Sequence, residues 1–100
     1  SFDDICQSVA TGQIDTLCRT LDRLYLEGMH GVAIVRSVHR YFSRLLEIRV
    51  AMSTGQSADQ AIKSLRPPVF FKQQPLMKQA ASKWNEKRIQ HVLHLMLETE

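Results

Sequence analysis

The sequence predicts an all-α protein, a compact bundle of about five to six helices in a single domain over residues 1–100. Three observations predict it. Apolar residues recur at three- and four-residue spacing through most of the chain, the signature of helices with one buried face. No segment reads as a credible strand. The connections between periodic segments are short, which favours antiparallel neighbours. One hundred residues with 44% apolar content suit one domain and one core.

A first helix is predicted over 2–11, with Ser1 as N-cap and Asp3 and Asp4 placed where carboxylates favour the helix dipole. Phe2, Ile5, Cys6 and Val9 share a face, and Thr11-Gly12 ends it. A second is predicted over about 14–27, where Ile14, Leu17, Leu21, Leu24 and Tyr25 form a buried stripe and Gly28 is placed as C′. The longest is predicted over about 31–53, from Ile34 through Val38, Phe42, Leu45 and Ile48 to Met52, and its length suits a central spine. Ser57-Ala58-Asp59-Gln60 reads as a capping box opening a short helix over about 58–65.

The next segment, Leu65-Arg66-Pro67-Pro68-Val69-Phe70-Phe71-Lys72, cannot continue a helix. Adjacent prolines remove two backbone donors and favour extended geometry before them. The expectation is a structural staple made by Pro67, Pro68, Phe70, Phe71 and the downstream Trp84, with at least one of Phe70 and Phe71 buried against the long helix or the last one. Pro75 fits the first turn of a helix over 74–83. Trp84 anchors the corner, Asn85 caps the last helix, and Ile89, Val92, Leu93, Met96 and Leu97 form its seam. The four glycines, 12, 28, 31 and 55, are all read as serving helix ends.

Charge is unevenly distributed. Residues 1–27 carry a net −3 and residues 28–100 a net +6. A basic surface on the later part admits nucleic acid or an acidic partner without demanding either. No run of 18 apolar residues exists and no signal-peptide pattern opens the chain, so no membrane span is expected. The sequence opens without Met and stops with helical character still running in Leu95-Met96-Leu97; a domain excised from a longer chain is expected. Cys6 and Cys18 read as small buried hydrophobes in a reducing compartment.

Candidate chemistry is sparse. His91, His94 and Glu98 share a face of the last helix, but the spacing lacks the His-Glu-x-x-His pattern of helical zinc sites. Arg36, Arg40 and Arg44 recur every four residues opposite the apolar face of the long helix. A solvated face, a subunit interface and a phosphate-tracking surface all fit that stripe, although it lacks interleaved aromatics for base stacking. Lys78, Lys83, Lys87 and Arg88 gather around Trp84. No catalytic set, phosphate-binding glycine loop, metal site or cofactor site is expected.

The order of features resembles the C-terminal domain of the delta subunit of the bacterial DNA polymerase III clamp loader. Four stretches carry the resemblance: Leu21–Gly28 at a helix end; the long helix ending in Ser53-Thr54-Gly55-Gln56-Ser57; the Leu65–Lys72 connector; and Trp84–Leu97 followed by Glu98-Thr99-Glu100. The resemblance implies a non-catalytic collar domain that assembles the loader for placing the sliding clamp on primed DNA during replication. It implies gamma/tau and delta-prime type subunits as partners, with Arg36, Arg40 and Arg44 as candidate interface residues. Contact with the sliding clamp belongs to N-terminal regions absent from this sequence, and contact with DNA is indirect. The implied location is the bacterial cytoplasm, in the nucleoid-associated replisome. A helical nucleic-acid-binding module and an adaptor bundle of an unrelated complex are the alternatives.

Overall fold

The computed structural model describes Ile5, residues 11–99, and side chains as far as Met96. Most of the predicted 2–11 helix lies outside the described residues; Ile5 is helical and buried. Among the described residues the order is α1 (Ile14–Leu26), α2 (Met29–Ser53), α3 (Ala58–Ser64), a 3-10 turn (Phe71–Gln73), α4 (Gln74–Lys83) and α5 (Glu86–Thr99). These residues form an all-α bundle without strands.

α2 is the spine. Its 25 residues rise about 37 Å at 1.5 Å each, close to the 40 Å long axis of the molecule. α1, α3, α4 and α5 all pack against it. Val35, Val38, Phe42, Leu45 and Ile48 on its inner face are buried, and they meet Leu17 and Leu21 of α1, Ile89 and Val92 of α5, and Ile62 of α3 in one core. The Trp84 ring stands edge-on to Phe42, with centroids 5.1 Å apart and planes at 77°, a geometry the aromatic quadrupole favours.

α1 passes into α2 with only Glu27 and Gly28 between them. Gly28 has φ +83 and ψ −147, a conformation open to glycine alone. It follows the C-cap of α1 and is itself the N-cap of α2, so α2 starts two residues earlier than the apolar pattern suggested. Gly31, expected at a helix end, is the third residue of α2, in its first turn. It lies inside α2, buried, where a Cβ would overlap the Leu24 carbonyl oxygen; it allows α1 and α2 to meet.

The capping box forms as the residues predict. The Gln60 amide donates to Ser57 Oγ at 3.1 Å, and the Ser57 amide donates to Gln60 Oε1 at 3.1 Å. Asn85 Oδ1 accepts the Arg88 amide at 2.8 Å and caps α5. Pro75 sits in the first turn of α4. Long-range polar contacts then tie ends to neighbours: Arg49 Nη1 donates to the Ala81 carbonyl at 2.9 Å, and Tyr25 Oη donates to the Met96 carbonyl at 3.1 Å. No helix among the described residues is long and apolar enough to cross a membrane.

Candidate functional site

The outer face of α2 carries Arg36, Arg40 and Arg44 in a row, as the four-residue spacing requires. Arg36 is exposed, and Arg40 Nη2 donates to Ser37 Oγ on the same helix at 3.4 Å. Arg44 reaches away from its helix: its Nη2 donates to the Pro67 carbonyl at 2.6 Å. That bond lays the proline connector along the basic stripe, joining residues 23 positions apart in the sequence. From the other side, Gln74 Nε2 donates to the Val69 carbonyl at 3.2 Å. The Arg66–Pro67 peptide bond is cis. Arg66 turns back and donates to the Lys63 and Leu65 carbonyls, closing the end of α3.

Between stripe and connector lies a cleft of about 440 Å³. Buried Met77 and half-buried Tyr41 and Val69 supply its floor. Pro67, Pro68 and Phe70 form one side, and Arg40 and Arg44 the other. No carboxylate lines it, and neither arginine takes part in an ion pair among the described residues. Arg36 stands outside it, so two of the three stripe arginines share the cleft.

The aromatic pair corrects the staple expectation. Phe70 and Phe71 are 58% and 68% exposed, and neither is buried against α2 or α5. The two rings pack on each other instead, edge-on at 5.0 Å and 64°, with Lys72 Nζ 6.0 Å from the centre of Phe71. The connector meets the core elsewhere: Leu65 at its start is buried, and Val69 packs against the core partly buried. The 3-10 turn, closed by the Gln73 amide on the Phe70 carbonyl at 2.8 Å, carries the rings to the surface. Pro67 and Pro68 are exposed too. Of the five residues grouped as a staple, Trp84 alone is in the core, at 1% exposure.

Trp84 also organises the second basic cluster. The Arg88 guanidinium lies 4.6 Å from its ring centre, within cation–π range, and donates to the Lys83 carbonyl at 2.9 Å. Lys78 pairs with Asp59 at 3.1 Å, both side chains exposed. Lys83 and Lys87 are exposed. This cluster thus divides between corner packing and open surface.

The remaining candidates do not converge. His91 and His94 are exposed on α5, and the Glu98 side chain lies outside the described residues. No group of three or more His, Cys, Asp or Glu is placed to hold a metal among the described residues. Cys18 is free and half-buried, less enclosed than expected; burial pushes its thiol pKa up, and the nearby Asp22 and Asp15 carboxylates add to the rise. Cys6 lies outside the described residues.

Sequence reasoning found the stripe and the connector separately and missed that they build one cleft. No local signal links Arg44 to Pro67; the link appears only when α3 folds back along α2. Compared with known protein families, curated proteins and solved structures, the chain matches none of them.

Proposed function

We propose that this chain is a non-catalytic assembly module that joins a larger complex through the cleft face of α2. The observation that carries the reading is the junction of Arg40 and Arg44 with exposed Phe70 over an apolar floor. Arginine and aromatic side chains are enriched where proteins meet, because they bury large contact area and orient polar partners. The clamp-loader resemblance gives the complex: the collar of a DNA polymerase III loader, with this chain in the delta position beside gamma/tau and delta-prime type subunits. Such a role belongs to DNA replication in the bacterial cytoplasm. It calls for broad helical faces, which α2 and its neighbours supply.

One observation favours a second reading. The stripe lacked aromatics in the sequence, and the fold brings Phe70 and Phe71 beside it, with Lys72 adjacent. Exposed rings among cations also describe a single-strand nucleic-acid surface.

The test is Arg40→Glu in the full-length subunit. The assembly reading expects reduced co-elution with the loader subunits and an unchanged thermal melt, since surface substitutions stay within about 0.5 kcal/mol. Normal co-elution contradicts it. Normal co-elution with lost, salt-sensitive DNA affinity would favour the nucleic-acid reading.

A further inference from the structure

We infer that the cleft between α2 and the proline connector takes a short acidic peptide segment of a partner protein, anchored by one apolar side chain. The inference deepens the assembly reading and rests on its view of this face as a protein interface. It adds the chemistry of what docks there.

Three features fix that chemistry. The floor is apolar and the cleft is concave, about 440 Å³ in volume. That space receives a side chain of the size of Phe or Leu, which the exposed Phe70 and the Pro67-Pro68 edge cover from one side. The opposite rim is cationic. Arg40 uses one nitrogen on Ser37 and Arg44 uses one on Pro67, and each guanidinium has further N–H donors. Planar forks of that kind bind carboxylates in pairs of parallel hydrogen bonds and shed their water readily. Finally, among the described residues no acidic side chain lines the cleft to compete. An apolar anchor flanked by carboxylates is complementary at each point.

A polyanion is served less well. Phe70 and Phe71 meet edge-on at 64°, so they do not form two parallel faces for successive bases. Arg36 stands outside the cleft, which leaves two cations at the rim. That is a short track for a phosphate chain and sufficient for one or two carboxylates.

The experiment titrates the isotope-labelled 100-residue chain by NMR with a short synthetic peptide rich in Glu and Asp around a single Phe. The expected result is saturable shifts at Arg40, Tyr41, Val69 and Phe70, weakening as salt is raised. Arg40→Glu in the chain, Phe70→Ala in the chain and Phe→Ala in the peptide should each weaken binding about tenfold or more. A thermal melt checks that each variant is folded, and the two chain variants lie on different elements, so loss of one fold leaves the other informative. Absence of binding, or equal binding by Arg40→Glu, overturns the inference. So does a result in which oligothymidylate shifts these residues and the acidic peptide does not. If the peptide fails while Arg40→Glu still disrupts subunit assembly, the assembly reading stands and the peptide chemistry falls. If the peptide binds while assembly is untouched, the reverse holds.

Discussion

At Gly31 the backbones of α1 and α2 come so close that a Cβ would overlap the Leu24 carbonyl oxygen. The obstacle is backbone, which cannot swing aside as a flexible side chain can. Gly31→Ala is therefore expected to destabilise the fold by about 1–3 kcal/mol, as overpacking does, measurable as a lower urea midpoint. A helix-propensity argument gives the opposite sign, because Ala exceeds Gly inside helices by up to about 1 kcal/mol; increased stability would mean the two helices can separate cheaply. The sequence placed Gly31 near a helix end, since four glycines bordered periodic segments. Its contact with Leu24 depends on how sharply the chain reverses at Gly28, and no periodicity records that. By contrast, Ser57, Gln60 and Asn85 were legible, because each acts on backbone groups within three residues.

Elements were legible wherever one buried face ran along them. α2, α4 and the seam of α5 from Ile89 to Met96 follow their apolar spacing, with the ends of α2 and α4 shifted by no more than two residues from the pattern; the Leu97 side chain lies outside the described residues. The connector was legible as a break and misleading as a packing unit. Hydrophobicity alone placed at least one of Phe70 and Phe71 in the core, yet it is Val69 that packs on the core there, beside buried Met77. Whether an aromatic in a short connector turns in or out depends on which neighbours reach the space first, a long-range fact. Trp84, on a corner between two helices, had less choice. Its ring meets both Phe42 and the Arg88 guanidinium. Trp84→Ala should cost about 3–5 kcal/mol through the cavity it leaves, read by urea unfolding followed by far-ultraviolet circular dichroism. A loss below about 1 kcal/mol would mean that the corner closes over the gap and that α4 and α5 are not held by this ring.

Across the whole molecule, the two sides of one helix differ: one is buried, and the other carries the candidate cleft. The inner face of α2 supplies Val35, Val38, Phe42, Leu45 and Ile48 to a core with no buried charged side chain among the described residues. The outer face supplies Arg40 and Arg44 to a cleft that the connector completes. The candidate site was half legible for this reason: its cations shared a helix and could be read from spacing, whereas its aromatic wall lay far along the chain, beyond α3, and at least one of its rings was expected in the interior. The separation makes a direct demand. If the Phe70–Phe71 pair serves recognition, the fold should not need it. The deciding measurement is equilibrium urea unfolding of the Phe70→Ala, Phe71→Ala double variant beside the unaltered chain. The expected change is below about 1 kcal/mol in all, in the range of surface substitutions. A loss of about 3 kcal/mol or more, the size associated with emptying a core aromatic site, would return the rings to the interior and contradict it.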